Sequence, residues 1–220
     1  MGGTVISIGM GHHHSCAGLD NGLVKCTGRN NEGALGVGHT STRYEWTTVQ
    51  GITTGVLPYG FGQNGLKDGP GGYHMCAQEV GTESSPGQFK CWGHNNYGQL
   101  GDGTSSNRNS PVVVNVGGTV IQSCMGFYFT CVRLTGGNVE GTVKCFGRNN
   151  NHQMADGTSS TRYVPQTVNV GCQAALLTCS GYSISVYCTD GRIRSWAYNS
   201  HGELGDGSSS QRNTPVNTNY

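Results

Sequence analysis

The sequence predicts an all-β array of propeller-like blades, and three observations carry that expectation. One pattern recurs four times along 220 residues, no apolar spacing of 3.6 residues is sustained, and short alternating runs are punctuated by Gly, Asn and Asp. The clearest copy is FKCWGHNNYGQLGDGTSSNRNSP, Phe89 to Pro111, echoed at Val24 to Trp46, Val143 to Pro165 and Ile193 to Pro215.

Aligned on Cys26, Cys91, Cys145 and Ser195, the copies stay in rigid register for 24 residues, to Gln50, Asn115, Asn169 and Asn219. The upstream cysteine position falls 15 residues after the repeat start at Cys16, Cys131 and Ser185, but 25 after it at Cys76, so the second copy carries a ten-residue insertion. The expected repeats are 1–50, 51–115, 116–169 and 170–220, forming one domain, with Tyr220 already in the register of Met1. Within each unit, runs such as TVISI, SCAGL and GLVKC read as strands. Asp20-Asn21-Gly22 and Asp190-Gly191 read as hairpin turns, because these residues tolerate the positive φ that tight turns demand.

Only 34% of the residues are hydrophobic and 38 are Gly, a thin supply for an ordinary packed core. Charged residues make up 11% and the net charge is +1, which gives no electrostatic footprint for nucleic acid or an anionic membrane. No run approaches the ~20 apolar residues of a membrane-spanning helix. Ten cysteines without a CxxC pair point to an oxidising compartment rather than a zinc site. The N-terminal MGGTVISIGMGHHH lacks a basic segment followed by an apolar one, so a secretory signal is either cleaved off or absent from this stretch.

The pattern G-x-x-H-x-C-A followed by V-K-C-W-G-x-N-x-x-G-Q-L-G-D-G-T-S-S-x-R-x-x-P resembles the repeats of the regulator of chromosome condensation (RCC1) family, over essentially the whole chain. The second copy carries it best, in His74, Cys76, Cys91, Trp92, Gly93, Asn95, Gly98, Gln99, Leu100, Gly101, Asp102, Gly103, Arg108 and Pro111. The resemblance implies RCC1-like β-propeller blades of four strands, in a cysteine-bearing version closer to secreted repeats than to the nuclear exchange factor. Two departures stand out. The family's usual ring has seven blades where this stretch supplies four, so the array is expected to be open or completed between molecules. The last copy has also lost its cysteine pair and one Gly, replaced by Ala197.

Cys16 with Cys26, Cys76 with Cys91, and Cys131 with Cys145 occupy equivalent positions flanking a hairpin turn, which places them on neighbouring strands as disulfide candidates. Their joint replacement by Ser185 and Ser195 in the fourth copy is what a covalent pair predicts. Of the other four, Cys124 and Cys179 fall on the same strand of adjacent blades, leaving Cys172 with Cys188, although four cysteines allow three connectivities. Trp92, Phe146 and Trp196, with Leu35, Leu100, Met154 and Leu204, read as core between blades. Asp102, Asp156 and Asp206 each precede an Arg by six residues and read as loop-fixing pairs, whereas the first copy has Val37 with Arg43.

No catalytic constellation is present. The carboxylates sit in equivalent positions of different blades rather than converging, no GxSxG elbow occurs, and GPGG at Gly69 to Gly72 lacks the Lys and Ser/Thr of a phosphate loop. His12-His13-His14 invites a metal reading, but alternate strand residues face opposite ways and His14 is the repeat equivalent of His74, so no metal or cofactor is expected. The insertion, carrying Leu57, Pro58, Tyr59, Phe61 and Leu66, is the candidate binding loop, since loops held by a rigid scaffold often carry function. The sequence therefore points to a non-enzymatic scaffold, extracellular or on the cell surface, with other copies of itself as partners in a head-to-tail fibre or ring. The alternative is a binding module or protein inhibitor that grips one protein partner through its loops.

Overall fold

The computed structural model describes residues 2–61, 72–81 and 87–219, with the backbone alone for residues 57–61. Among the described residues, sixteen strands form four antiparallel four-stranded meanders. The first blade holds β1 (Val5–Met10), β2 (His14–Leu19), β3 (Val24–Gly28) and β4 (Arg43–Thr48). The second holds β5 (Val56–Phe61), β6 (His74–Glu79), β7 (Phe89–Gly93) and β8 (Arg108–Val113). The third holds β9 (Thr119–Met125), β10 (Phe129–Thr135), β11 (Val143–Gly147) and β12 (Arg162–Val168), with a 3-10 turn at Gly137–Val139. The fourth holds β13 (Ala174–Cys179), β14 (Ser183–Cys188), β15 (Ile193–Ala197) and β16 (Arg212–Asn217). The first strands of successive blades lie side by side, β1 by β5, β5 by β9 and β9 by β13, and the sheets do not close into a ring.

The long Gly-rich loop between the third and fourth strand of each blade is held from within by one fully buried asparagine: Asn30, Asn95, Asn149 and Asn199. Each Oδ1 accepts from the amide of a buried apolar residue five positions on, Leu35, Leu100, Met154 and Leu204, at 2.8–2.9 Å. Each Nδ2 donates across the loop, to the carbonyls of Thr104 and Ser106 in the second blade and of Ser208 and Ser210 in the fourth. Asp102 tightens the same loop: Oδ1 accepts from Thr104 and Oδ2 from Arg108 Nε at 2.7 Å. Asp156 with Arg162 and Asp206 with Arg212 repeat this arrangement. Where the first blade has Val37 in place of Asp, Arg43 instead contacts the His39 ring, Nη2 to Nε2 at 2.7 Å.

The clamped loop is also the surface on which the next blade packs. Trp92 Nε1 donates to Ala34 O, and Trp196 Nε1 to Gln153 O, both at 2.9 Å, from rings with no exposed area. Backbone bonds cross the joints at recurring positions, Gly38 N to Asn109 O, Gly103 N to Tyr163 O and Gly157 N to Asn213 O. Near the axis, Gln122 reads the adjacent first strand with both ends of its amide, donating to Leu177 O at 2.8 Å and accepting from Leu177 N at 2.9 Å. His74 donates from Nε2 to Thr130 Oγ1, whose own proton goes to Gln99 O, so Nε2 is the protonated ring nitrogen. Its complete burial, with His94 and His14 nearby, lowers its pKa to about 3.

All ten cysteines are paired. Cys16–Cys26, Cys76–Cys91 and Cys131–Cys145 lie directly opposite one another on the second and third strands of their blades, with Cα atoms 4.0–4.1 Å apart. Such spacing belongs to the close, non-hydrogen-bonded positions of an antiparallel pair. In the fourth blade Ser185 and Ser195 stand in the same register and share a hydrogen bond of 2.8 Å between their hydroxyls. Cys124–Cys179 ties β9 of the third blade to β13 of the fourth, and Cys172–Cys188 ties the segment before β13 to the end of β14.

Of the insertion residues, Leu57, Tyr59 and Phe61 belong to strand β5 rather than to a loop, because the chain keeps pairing with β6 through a register shift between Val56↔Glu79 and Phe61↔Ala77. Leu66 lies outside the described residues.

Ala197 occupies the position of Gly28, Gly93 and Gly147 and is forced to a φ of 82°, in the region that L residues enter at a cost. Ala197→Gly is expected to stabilise the protein by about 1 kcal/mol, read as a higher urea midpoint at unchanged slope. An unchanged or lower midpoint contradicts this.

Candidate functional site

In the first three blades the third strand ends in a glycine, Gly28, Gly93 or Gly147, where a Cβ would collide with the turn between the first two strands. A Cβ on Gly93 would sit 2.5 Å from Tyr73 O, and one on Gly147 2.5 Å from Tyr128 O. The absence of a side chain lets the following residue reach back closely to that turn, and in the fourth blade, where Ala197 carries a Cβ, the equivalent bond is longer, at 3.4 Å. Arg29 N donates to His13 O, His94 N to Tyr73 O, Arg148 N to Tyr128 O and Tyr198 N to Tyr182 O. Two side chains per blade are thereby fixed side by side on one rim of the array: His13 with Arg29, Tyr73 with His94, Tyr128 with Arg148, and Tyr182 with Tyr198.

These side chains connect across all four blades. His12 Nδ1 lies 3.0 Å from Tyr73 Oη, with the rings edge-on at 5.2 Å between centroids. Tyr73 continues to His94 at 6.3 Å, and His94 to Tyr128 at 5.7 Å. Tyr128 neighbours Phe127, which lies 4.6 Å from Tyr182, and Tyr182 neighbours Tyr198 at 5.7 Å. Two guanidiniums lie over the band. Arg29 sits 5.1 Å above Tyr73, and Arg148 lies 5.3 and 5.7 Å from the Tyr97 and Tyr128 centroids. Such contacts contribute roughly 0.5–2 kcal/mol each.

Gln99 sets the centre of the band. Its Nε2 donates to His94 Nδ1 at 2.6 Å, which leaves the imidazole proton on Nε2, and its Oε1 accepts from Tyr97 N at 3.0 Å. Burial lowers the His94 pKa against an opposing pull from Glu32. Burial likewise raises the Tyr128 pKa, helped by the neighbouring Tyr73 and Tyr97. The centre of the face therefore presents neutral rings and a guanidinium. Tyr73, His94, Phe127, Tyr128, Arg148, Tyr182 and Tyr198 are all partly exposed, so the band is a surface rather than a core.

Sequence reasoning missed this face, although one signal was available: Tyr73, Tyr128 and Tyr182 each stand immediately before the repeat position of His74, where the first copy has His13. His12 and His13 do meet here, but as aromatic neighbours 3.8 Å apart. Among the described residues, no group of three or more His, Cys, Asp or Glu side chains has the arrangement to hold a metal ion. Trp92 and Trp196 are buried between blades, and the cysteines are within the sheets and joints, away from the face. Leu57, Tyr59 and Phe61 lie on β5, whose connection to β6 runs into Gly72 and Tyr73.

Comparison with known proteins supports the same architecture. A profile described as "Regulator of chromosome condensation (RCC1) repeat" matches residues 91–133, and a second of the same description matches residues 5–34. The chain is 26% identical over 195 residues to the ultraviolet-B receptor UVR8 of Arabidopsis thaliana, covering 87% of this chain and 41% of that one. It is 30% identical over 122 residues to a bifunctional serine/threonine-protein kinase/NEDD4-like E3 ubiquitin-protein ligase of Dictyostelium discoideum, covering 54% of this chain and 6% of that one. Human WBSCR16 superimposes with a TM-score of 0.77 at 20% identity, over 100% of this chain and 54% of its own. Yeast RCC1 (Prp20), solved with Kap60, gives 0.78 at 13% identity, over 100% and 50%. The chain thus spans about half the length of these solved structures and less than half of the curated relatives. It carries stretches that match RCC1-type repeats and shares the blade architecture of RCC1-like structures.

Proposed function

We propose that this protein is a non-enzymatic binding module that grips a protein partner through the aromatic and cationic face, in an extracellular or cell-surface setting. The observation that carries the reading is the unbroken band from His12 to Tyr198, rich in Tyr and Arg, the residue types enriched where proteins dock. Protein binding also recurs among structures of the same fold: yeast RCC1 (Prp20) was solved bound to Kap60, and Prp20p is known with its binding to Gsp1p and histones. Five disulfides support the setting, because such bonds persist where thiols are not kept reduced.

The test is affinity capture with chemical cross-linking from the extracellular fraction of the source organism, comparing the native chain with a Tyr73→Ser, Tyr128→Ser double variant. A partner captured by the native chain and by Arg192→Ser, on the opposite rim, but lost by the double variant is expected. Capture indifferent to Tyr73 and Tyr128 would overturn the reading.

A second reading, end-to-end joining of copies into a fibre or ring, is favoured by one observation. Ile8 and Met10 on β1 are 69% and 62% exposed, whereas their repeat equivalents Leu177 and Cys179 are each 3% exposed against the third blade. A blade of like kind, from another copy or from further chain, would cover them. The mass of the native, unreduced particle decides: multiples of 23.2 kDa are expected from joined copies of this 220-residue chain, and a lone monomer at micromolar concentration contradicts it.

A further inference from the structure

Arg148 differs from the other half-buried arginines of the described residues. Arg29 is paired with Glu32, Arg108 with Asp102, Arg162 with Asp156, Arg194 with Asp190 and Arg212 with Asp206, while Arg133 donates to Gln122 and to Ala174 O. Arg148 alone of these has no ion pair and no side-chain hydrogen bond among the described residues; its buried Nε is without an acceptor, as is that of Arg29, whose Nη2 is nevertheless paired. A guanidinium keeps its charge, and a buried donor left unmet is costly.

Its position is nevertheless fixed. The backbone amide is tied to Tyr128 O at 2.8 Å, and the guanidinium lies against the Tyr97 and Tyr128 rings. Gln99 sets the Tyr97 backbone and the neighbouring His94 from one side chain. The equivalent residue of the first blade, Arg29, has its acceptor supplied within its own loop, by Glu32 at 2.9 Å. The third blade has Asn151 at the Glu32 position, so the chain itself provides no carboxylate there.

We infer that Arg148, held by Tyr97 and Tyr128, is the receptor for a carboxylate side chain, Asp or Glu, of a protein partner docking on the aromatic face. The inference rests on the docking role proposed above and names the chemistry that the partner must carry at this point. A planar guanidinium offers paired donors to a carboxylate, and the adjacent rings exclude water from the contact, which makes it a site of large effect on affinity. The residues flanking the partner's carboxylate are then apolar or aromatic, because they meet Tyr128, Phe127 and His94.

The test uses a displayed library of random dodecapeptides selected against the whole native chain, with eluted peptides remade and their affinities measured by calorimetry. Peptides competing with one another at the face and sharing an Asp or Glu beside aromatic residues are expected. R148Q should weaken them roughly ten- to a hundredfold, while R192Q leaves them unchanged. Amidating the peptide carboxylate, Asp→Asn or Glu→Gln, should cause a similar loss on the native chain and little further loss on R148Q. R148K, which keeps the charge without the planar fork, should recover part of the affinity, and matched thermal unfolding of the variants excludes misfolding. Face-binding peptides that lack a carboxylate, or whose amidation costs as much on R148Q as on the native chain, overturn the inference and leave the docking face standing. Selection of no peptide sensitive to Tyr73 or Tyr128 overturns both.

Discussion

The interaction on which the rest of the structure depends is the buried side-chain amide that closes each Gly-rich loop. Asn95 has no exposed area, accepts from Leu100 N and donates to carbonyls on the far side of its loop. Leaving such groups unmet costs roughly 1–3 kcal/mol each, so the loop has one arrangement that satisfies them together. That arrangement buries Leu100 and presents Gln99, whose carbonyl receives the Thr130 hydroxyl of the third blade and whose side chain orients His94. The same residues thus serve loop, joint and surface.

A fold built this way needs little apolar mass, and the composition supplies little. The core is instead held at intervals by covalent links and by polar contacts between blades. A disulfide closing ~15 residues contributes about 3 kcal/mol in the chain-entropy model. Cys124–Cys179 and the Gln122 amide link the third and fourth blades, and the fourth blade is the one whose disulfide between the second and third strands is replaced by a serine pair. Glu79 and Lys90, paired at 2.8 Å, add a nearly buried ionic link whose other contacts reach Thr53 N and Gly51 O, in the segment joining the first two blades.

The blades were legible in the sequence because their determinants recur with fixed spacing: the strand runs, the turn residues and the loop pattern from Gly93 to Arg108. The aromatic face was less legible because geometry is conserved there among the blades while residue type is not. His13, Tyr73, Tyr128 and Tyr182 share one backbone position, and Arg29, His94, Arg148 and Tyr198 share the next, so a search for identical letters passes over both. Their contact also depends on how blades sit beside one another, as in Phe127 against Tyr182, which no single repeat encodes. The Val56–Phe61 stretch read as an insertion loop for a related reason. Its Pro and Gly obscure alternation, and pairing with β6 continues only through a shift of register.

Hydrogen exchange on Asn95→Asp tests the central claim most directly, because the change keeps the Oδ1 acceptor and removes the Nδ2 donors in nearly the same volume. The account predicts that amide protection at Leu100, Gly101 and Gly103 falls, and that His94 and Tyr97 resonances shift with them, while the amides of Leu35 and Leu204 in other blades stay protected. Native protection at Leu100 together with unshifted His94 and Tyr97 would contradict the claim that this asparagine closes the loop and, through it, sets the face.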